Sequence, residues 1–390
     1  MPSQRILILM SNTGGGHRAS ALALKAGFEE QYPGRFEIEI IDLLADHTFW
    51  PLNRSPQIYA LVATRAPRLW GMAYSTQYAP WLVRAAMRLV ARFAAGEVRS
   101  ALRSFAPDLV ISVHPLAQEI TLHALQGSSQ QIPFVTVVTD LATVHPLWLH
   151  PQVDACYVAA DSAVDAARAA GIPAERIHLF GLPVRPAFEQ DYPDSVEMKR
   201  RLGLEDGLPA ALLMGGGDGI GPVEEIAAAL DNALGRQGCN GRTPAGQLVI
   251  ICGRNETLRA RLDARSWSIP VRVLGFVESM PEWMNACDCV VTKAGPGTIA
   301  EALICGLPII ISGYIPGQEE GNIPFVVDQQ AGAFVSEPAA IGHTVTRWFC
   351  AEAPLRAQMA ANARRLGKPQ ATREIVSSIV TLLEQQSLAA

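Results

Sequence analysis

Short apolar runs recur along the chain, and segments with the spacing of helices separate them. Arg5–Met10, Ala210–Met214 and Gln247–Cys252 are such runs, rich in aliphatic and β-branched residues. Continuous apolar runs that alternate with helical segments are typical of strands in parallel sheets whose two faces are covered by helices. The pattern therefore predicts an α/β fold with helices on both sides of the strands.

The same pattern occurs twice, and each half opens with a strand, a glycine turn and a helix. Prolines at positions 183, 186 and 193 interrupt it midway, where a domain boundary is expected. We predict two Rossmann-like, doubly wound domains, residues 1–186 and 187–390. The last helix of the chain is expected to pack back on the N-terminal domain. Ligands of such sheets bind at the carboxyl ends of the strands, so an interdomain cleft is the expected site.

Composition narrows the class of protein. Hydrophobic residues make up 49% and charged residues 18% of the 390 residues, which excludes a mainly disordered chain. No run of about 20 apolar residues predicts a spanning helix, and a net charge of −5 argues against nucleic acid as a partner. Met1–Ser20 lacks a signal-peptide pattern, and seven cysteines do not suggest a secreted disulfide framework. We therefore expect a cytoplasmic protein.

Two glycine turns stand between a strand and a helix, where backbone N–H groups and the helix dipole favour an anion. The turn Gly215–Gly221 departs from the G-x-G-x-x-G spacing, and no acid closes the next strand, which disfavours a nicotinamide oxidoreductase. The turn in the first half ends in His17 at a helix start, where the dipole disfavours the imidazolium and leaves a neutral base. A histidine that only caps the helix is the alternative.

Two polar loops follow later strands of the second half. Lys293–Glu301 ends a strand, turns through glycine and proline, and starts a helix near Thr298, which would put Glu301 in the first helical turn. A carboxylate at that point is able to accept two ribose hydroxyls. Pro316–Asn322 gathers amides and carboxylates in one loop, which suits a ligand with many hydroxyl groups such as a sugar.

Together with Val138–Trp148 and Phe180–Pro186, these segments resemble the inverting glycosyltransferases of the monogalactosyldiacylglycerol synthase and processive diacylglycerol glucosyltransferase family. That family is similar in turn to the lipid-linked N-acetylglucosaminyltransferase of peptidoglycan synthesis. The resemblance covers nearly the whole chain and implies the GT-B fold, with the acceptor on the N-terminal domain and a UDP-sugar on the C-terminal one. The peptidoglycan relative has serine where this chain has Gly217, and the lipid-galactosylating branch has glycine.

Carried over residue by residue, the resemblance implies a role for each matching position. On the acceptor side, the resemblance implies that Gly15 and Gly16 stand beside the essential histidine of the glycine turn, His17. On the donor side it implies contacts to phosphate, uracil, ribose and hexose. The expected UDP-sugar-binding residues are Arg185, Gly216, Gly217, Phe276, Val277, Gly295, Gly297, Thr298, Glu301, Gln318, Glu319 and Asn322.

The chemistry expected from these residues needs no metal or other cofactor, because the chain contains no Asp-x-Asp sequence to hold a cation on the diphosphate. Helix N-termini, backbone N–H groups and an arginine would stabilise the leaving UDP instead. Direct attack by an acceptor hydroxyl, with one base, inverts the anomeric carbon and gives a β-glycosyl diacylglycerol. The sequence does not decide which residue is the base. The candidates are His17, Asp140, His114 and His145.

A lipid acceptor requires a face that meets the membrane. Residues 47–104 contain eight arginines and one acid, and they form our predicted membrane-associating segment. At helical spacing Leu89 and Phe93 turn away from a stripe of arginines, which would bind anionic lipid on the inner face of the cell membrane. An ordinary surface helix is the alternative interpretation of this arginine-rich segment. Trp148, further along the chain, is expected to line the acyl entrance. The stripe consists of Arg84, Arg88, Arg92, Arg99 and Arg103.

The leading hypothesis is transfer of a hexose, with galactose favoured, from a UDP-hexose to diacylglycerol. A diacylglycerol glucosyltransferase, including one that adds several hexoses in succession, is the second hypothesis, because the two sugars differ in the orientation of one hydroxyl. A nucleotide-sugar-binding regulator without catalysis is the hypothesis from another class. The presence of His17, Glu301 and Gln318 argues against the regulator.

Overall fold

The computed structural model describes residues 4–13, 15–55, 57–58, 71, 80–126, 131–216, 221–236 and 244–389. The chain forms two compact units. Unit 1 comprises Met1–Pro186, Ile315–Gly321 and Pro369–Ala390, and unit 2 comprises Ala187–Tyr314 and Asn322–Lys368. The strand–helix pattern did not predict that a short segment after the eleventh strand, Ile315–Gly321, would belong to unit 1.

Unit 1 is built on a six-stranded parallel sheet with the strand order β2-β1-β3-β4-β5-β6. Its strands are β1 (Gln4–Met10), β2 (Phe36–Asp42), β3 (Leu109–Ser112), β4 (Phe134–Val137), β5 (Ala155–Val158) and β6 (Ile177–Leu179). Its helices are α1 (Gly16–Gln31), α2 (Leu43–Asp46), α3 (Pro80–Phe105), α4 (Ala117–Leu125), α5 (Asp161–Ala169) and, at the end of the chain, α14 (Ala371–Ala389). All pairings in the sheet are parallel.

Strand β1 shows why the apolar runs are continuous rather than alternating. Its side chains point alternately to the two faces of the sheet. Leu7 and Leu9 pack into a core that contains residues of α3 and α4, whereas Ile6 and Ile8 pack into a core formed with α1 and α14. Helices on both faces therefore require an apolar residue at every position of the strand.

Unit 2 repeats the design with the strand order β12-β11-β10-β7-β8-β9. Its strands are β7 (Ala210–Met214), β8 (Gln247–Ile251), β9 (Val271–Leu274), β10 (Cys289–Lys293), β11 (Ile309–Gly313) and β12 (Gly332–Phe334). Its helices are α6 (Ser195–Leu202), α7 (Val223–Arg236), α8 (Glu256–Asp263), α9 (Met280–Ala286), α10 (Pro296–Ile304), α11 (Asn322–Val327), α12 (Pro338–Phe349) and α13 (Ala353–Leu366). The two sheets confirm the predicted pair of Rossmann-like folds.

The Asp288 carboxylate links three elements at the amino end of the second sheet. Asp288 accepts hydrogen bonds from Lys199 Nζ at 2.8 Å, Arg356 Nη1 at 2.9 Å and the Ala210 backbone N–H at 2.9 Å. These donors come from α6, α13 and the start of β7. Asp288 precedes β10, so these bonds lie at the end of the sheet opposite to the carboxyl end, where ligands of this fold bind.

Candidate active site

The carboxyl ends of three neighbouring strands bring the polar residues of unit 1 together. Thr13 follows β1, His114 follows β3 and Asp140 follows β4, and these strands are adjacent in the sheet. Helix α1 begins at Gly16, so His17 stands in its first turn, directly after β1. We call the following group the carboxyl-edge cluster: Thr13, His17, His114, Thr139, Asp140, Trp148 and Glu319.

His17 is held inside the protein as a neutral imidazole. Its side chain is 8% exposed, and its Nδ1 lies 2.8 Å from Thr139 Oγ1. Its ring centroid lies 4.7 Å from that of His114 and 5.9 Å from that of Trp148. Burial lowers the pKa of His17 to about 4, and a hydrogen bond to the Val113 backbone offsets this only in part. The imidazole therefore stays uncharged at neutral pH.

His114 has a defined tautomer. Its Nδ1 accepts the Leu116 backbone N–H at 3.3 Å, so its Nε2 carries the proton and donates to Thr13 Oγ1 at 3.0 Å. Burial first, and the neighbouring His17 second, keep the pKa of His114 well below its usual range. Two buried imidazoles in contact are thus both neutral.

A buried hydrogen-bond network fixes the loop that carries His114. Gln118 Nε2 donates to Ser112 Oγ at 3.1 Å, and Thr136 Oγ1 donates to Gln118 Oε1 at 2.7 Å. Ser112 Oγ donates in turn to the His114 carbonyl at 3.1 Å. Because the three side chains are almost inaccessible to water, the network links β3, α4 and β4 rigidly beneath the cluster.

Asp140 is a buried carboxyl whose pKa is displaced towards neutrality. It is 7% exposed, and its Oδ2 accepts the indole N–H of Trp148 at 2.7 Å. Burial raises the pKa of Asp140 to about 7. The hydrogen bonds from the Trp148 side chain and the His145 backbone oppose this, and the charge of Glu319 adds to it. Asp140 is therefore able to exchange a proton near neutral pH.

Trp148 is not the acyl-chain contact that we predicted. Its side chain is completely buried, at the end of a short 3₁₀ helix, Pro146–Trp148, whose preceding His145 caps it by accepting the Leu147 N–H at 3.2 Å. The indole is instead a structural partner that orients the Asp140 carboxyl. The prediction was wrong because an indole in a polar loop motif has no sequence signal for the direction in which it points.

The glycines of the first turn leave space next to this cluster. Gly15 precedes α1 and Gly16 is its first residue, and a Cβ built on either would meet nothing within 4 Å. The packing of the described residues thus does not itself require glycine here. Open space and uncapped helix N–H groups are what a close-approaching ligand would use.

Glu319 lies in unit 1, in the segment Ile315–Gly321. Its side chain is 3% exposed, and its Oε2 accepts the Ile315 backbone N–H at 2.9 Å. The segment packs closely on the loop after Asp140, because a Cβ built on Gly321 would overlap Thr143 Oγ1. Gln318 belongs to the same segment, in unit 1.

Asn322, the third predicted hexose contact, begins α11 in unit 2. Its side chain is 2% exposed, and its Nδ2 donates to the Ala294 carbonyl at 2.9 Å. Its amide therefore supports the loop between β10 and α10. Arg185, the predicted phosphate-side arginine, is half-buried at the end of unit 1.

Glycines and Lys293 lie at the carboxyl ends of β7 and β10 in the second sheet. We call Gly216, Lys293, Gly295, Gly297 and Asn322 the glycine edge. Gly216 follows β7 in the left-handed region at φ 73°, which only glycine adopts without strain. A Cβ on Gly216 would lie 3.7 Å from Lys293 Cε, so the lysine stem borders the turn. Gly217 lies outside the described residues.

Helix α10 begins earlier than we predicted. Gly295 precedes it, Pro296 is its first residue, and no side chain among the described residues caps it. A Cβ on Gly297 would meet nothing within 4 Å, and Thr298 is half-buried in the first turn. Glu301 is consequently in the second turn, not the first; proline at the first helical position moved the start upstream.

Phe276 and Val277 follow β9 at the same end of the sheet. The Phe276 ring is 57% exposed, and Arg254, after β8, holds its guanidinium carbon 5.4 Å from the ring centroid. Val277 is half-buried. Sequence reasoning did not single out two cations at this end of the sheet, Arg254 after β8 and Lys293, the last residue of β10.

The arginine stripe of α3 does not form one exposed face. Arg84 Nη2 donates to the Leu149 carbonyl at 3.3 Å, and Arg99 Nε donates to the Ala124 carbonyl at 3.1 Å. Arg88 lies 3.5 Å from Glu119, while Arg92 is exposed. Arg84 as a lipid contact stays a prediction, although its half-buried guanidinium also bonds within unit 1.

The outer face of α3 is apolar at its centre. Trp81, Leu89 and Phe93 are 73%, 56% and 70% exposed, so the last two do not cover the sheet as the surface-helix alternative would require. Small residues of the helix pack on the sheet in their place. Of the predicted membrane-associating segment, positions 56, 59–70 and 72–79 lie outside the described residues. None of the described helices is long and apolar enough to cross a bilayer.

Within the part of the chain that the structure describes, no three histidine, cysteine, aspartate or glutamate side chains are grouped as metal ligands. Cys287 and Cys289 are buried thiols. Burial raises the pKa of the Cys287 thiol well above its usual range, so these residues act as small apolar side chains.

Comparison with known proteins agrees with this arrangement. Residues 17–184 match the monogalactosyldiacylglycerol (MGDG) synthase family model, and residues 212–341 match the glycosyltransferase family 28 C-terminal domain. The chain is 44% identical over 385 residues to the chloroplastic monogalactosyldiacylglycerol synthase of Spinacia oleracea, covering 98% of this chain and 73% of that protein. It is 44% identical over 386 residues to monogalactosyldiacylglycerol synthase 1 of Arabidopsis thaliana, covering 98% and 72%.

Solved structures share the fold at low sequence identity. MurG of Acinetobacter baumannii superposes with a TM-score of 0.59 at 17% identity, covering 97% of this chain and 99% of that one. A UDP-GlcNAc 2-epimerase from Neisseria meningitidis, bound to UDP-GlcNAc, gives 0.57 at 16% identity, covering 97% and 100%. These likenesses identify the GT-B fold.

The named relatives correct one prediction and establish the family. They are chloroplastic proteins by name, which contradicts our expectation of a cytoplasmic enzyme on the inner face of a cell membrane. The identity to them extends over almost all of the chain and over more than two thirds of each relative. With its two Rossmann-like sheets, the chain is a hexosyltransferase that belongs to the monogalactosyldiacylglycerol synthase family.

Proposed function

We propose that the protein transfers galactose from UDP-galactose to the free hydroxyl of diacylglycerol and inverts the anomeric carbon. The match over 98% of the chain to proteins named monogalactosyldiacylglycerol synthases carries this proposal. An α-linked donor attacked directly by the lipid hydroxyl gives a β-galactosyl diacylglycerol and UDP. The reaction needs a base for the hydroxyl proton and a binding site for the diphosphate.

Asp140 is the proposed base. A general base is most effective when its pKa lies near the working pH, and burial raises the pKa of Asp140 to about 7. Burial instead lowers the pKa of His17 to about 4, so His17 is a weaker proton acceptor at neutral pH. We assign His17 the role of shaping the acceptor pocket, as a neutral imidazole that contacts Trp148 and Thr139.

The glycine edge is the proposed diphosphate site. Gly216 in its left-handed conformation and the uncapped start of α10 offer backbone N–H groups, which bind phosphate oxygens well. Lys293 adds a positive charge beside the turn. Phe276, exposed at the end of β9, offers a face for stacking the uracil. We propose that UDP leaves with this support and without a metal ion.

The outer face of α3 is the proposed membrane contact. Diacylglycerol resides in a bilayer, so the enzyme has to reach the lipid surface. Trp81, Leu89 and Phe93 form an exposed apolar face, and Arg92 and Arg88 flank it. Apolar side chains that enter the acyl region and arginines that meet anionic headgroups are the two contributions that hold an interfacial helix.

Incubation with diacylglycerol vesicles and either UDP-[¹⁴C]galactose or UDP-[¹⁴C]glucose tests the function. We expect a labelled lipid from the galactose donor, with the large coupling constant of a β-anomeric proton in its NMR spectrum. An equal or faster reaction with glucose would favour the glucosyltransferase alternative. Release of UDP without a labelled lipid from either donor would contradict glycosyl transfer to diacylglycerol.

A further inference from the structure

The hydroxyl of Thr13, in the loop after β1, accepts a hydrogen bond and keeps its own proton for another partner. His114 Nδ1 accepts the Leu116 backbone N–H at 3.3 Å. Because burial keeps the imidazole neutral, its one ring proton is on Nε2. That nitrogen lies 3.0 Å from Thr13 Oγ1, so the threonine oxygen is the acceptor in this contact and its O–H bond points elsewhere.

The Thr13 O–H lacks an acceptor in the protein. Among the residues that the structure describes, His114 is the sole hydrogen-bond partner of Thr13. The side chain of Thr13 is half-buried, so a ligand is able to reach its hydroxyl. A ligand that does so meets a hydrogen-bond donor whose orientation is already restricted by the imidazole.

The loop leaves room for such a ligand directly after Thr13. A Cβ built on Gly15 or Gly16 would meet nothing within 4 Å, and both glycines are exposed. The chain therefore places an unused donor next to space that no described side chain fills. The same loop leads into α1, whose His17 belongs to the carboxyl-edge cluster.

The spacing between this hydroxyl and the proposed base matches the headgroup of a diacylglycerol. Thr13 follows β1 and Asp140 follows β4, and β3 lies between these two strands in the sheet. Neighbouring strands are about 4.8 Å apart, so the two carboxyl ends are separated by roughly 10 Å. Two hydrogen bonds of about 2.8 Å each leave roughly 4 Å between their ligand atoms. The glycerol segment between a free hydroxyl and the neighbouring ester carbonyl is able to bridge that distance.

We propose that Thr13 is a specificity-determining residue of the acceptor site: its hydroxyl donates a hydrogen bond to the ester carbonyl next to the reacting hydroxyl of diacylglycerol. His114 sets the direction of this bond, because its Nε2–H occupies the threonine oxygen and leaves the O–H to the lipid. The proposal rests on the proposed function, with diacylglycerol as acceptor and Asp140 as base.

Two acceptors that differ only in the carbonyl groups test this contact. Dioleoylglycerol has ester-linked chains, whereas di-O-oleylglycerol carries the same chains on ether oxygens, with a methylene group in place of each carbonyl. In detergent micelles we expect the parent to favour the ester lipid by about three- to tenfold in kcat/KM, the effect of one net hydrogen bond between neutral groups. Thr13→Val has nearly the same shape and should lose this preference, and Thr13→Ser should retain it.

The ratio of the two kcat/KM values is the readout, because Thr13→Val also leaves the His114 N–H without its acceptor and should slow both reactions. Thr121→Val is the matched control. Thr121 Oγ1 is buried in α4 and lacks a hydrogen-bond partner among the described residues. Its removal takes away a hydroxyl of unit 1 outside the carboxyl-edge cluster and should leave the ratio as in the parent.

The outcomes are separable. A parent without preference for the ester lipid, or the same ratio in the parent and Thr13→Val, would show that Thr13 only supports His114, and the specificity role would be overturned. If Thr13→Val is too unstable to assay, Thr13→Ala takes its place, and an unchanged ratio there would overturn the role equally.

If the parent makes no glycolipid from either lipid, the proposed function fails, and binding of the two lipids decides on Thr13. Calorimetry with micelles of each lipid measures it. Weaker binding of the ether lipid by the parent, but not by Thr13→Val, would uphold the carbonyl contact without any transfer reaction. Equal binding of the two lipids by the parent would overturn the contact as well.

Discussion

The carboxyl ends of the two sheets have the same topology and opposite chemistry. In unit 1 the residues that follow the strands are imidazoles and a carboxyl, buried so deeply that their pKa values move towards the neutral form. In unit 2 they are glycines, an uncapped helix start and Lys293. We therefore propose that one sheet edge holds and moves a proton and that the other holds an anion.

The difference has a simple physical origin. Burial removes water from titratable side chains and disfavours their charged forms, which lowers the pKa of a histidine and raises that of a carboxyl. Glycines leave the backbone bare, so N–H groups rather than side chains face the ligand. A Rossmann-like sheet therefore does not determine the chemistry at its edge; the residues directly after each strand do.

The largest effect should come from the proton-transfer edge. Asp140→Asn keeps an oxygen for the Trp148 indole but removes the base, so kcat should fall by about 100- to 10,000-fold. UDP affinity, measured by calorimetry, should stay within about twofold because unit 2 is untouched. A kcat near that of the parent would move the base elsewhere in the carboxyl-edge cluster.

The next largest effect concerns the lipid side of unit 1. Leu89→Ser with Phe93→Ser removes exposed apolar side chains that would enter the acyl region, and vesicle binding should weaken by about tenfold to a hundredfold. Leu355→Ser is the matched control, since Leu355 is a 47% exposed leucine of unit 2. Equal sedimentation of both variants with phosphatidylglycerol vesicles would show that α3 is only a surface helix.

A smaller effect should come from the anion-binding edge. Gly216→Ala forces a side chain into the left-handed region at φ 73°, which costs about 1–2 kcal/mol and disturbs the turn. UDP affinity should fall by about tenfold. Gly34→Ala has the same φ, 73°, and open space around it, so it should lower Tm and leave UDP affinity unchanged. If Gly216→Ala and Gly34→Ala lowered UDP affinity equally, the Gly216 effect would reflect general instability and not a role in binding the diphosphate.

The smallest expected effect is that of a chelator. We propose that backbone N–H groups and Lys293 support the diphosphate, so activity in EDTA should stay within about twofold of that without it. Complete loss in EDTA, restored by magnesium or manganese, would mean that the anion edge in fact works with a divalent cation.

Strands of this fold are readable from sequence because burial on both faces requires apolar residues without interruption. Arg5–Met10 and Ala210–Met214 were predicted almost to the residue for that reason. The edge strand Gly332–Phe334 was missed, since it is short and only its first residue is buried. Pairing with β11, rather than its own composition, makes it a strand.

The outer face of α3 was only partly readable from the sequence. Of the arginine stripe, Arg88, Arg92 and Arg103 are exposed, whereas Arg84 and Arg99 are half-buried. The small residues Ala91, Ala94 and Ala95 are the buried ones, because alanines allow the helix to lie close to its neighbours. The surroundings of Glu319 had no signal in the sequence, since contact between the segments after β11 and β4 is a property of the folded unit alone.

The pH–rate profile of the parent and of Asp140→Asn tests the central claim, that Asp140 is the base, most directly. The base must be ionised to act, so kcat/KM should rise with pH through an acid limb at about 7. That limb should be missing from the residual activity of Asp140→Asn. A limb at about 4 in the parent, the value to which burial lowers the pKa of His17, unchanged in Asp140→Asn, would contradict the account and assign the base to His17.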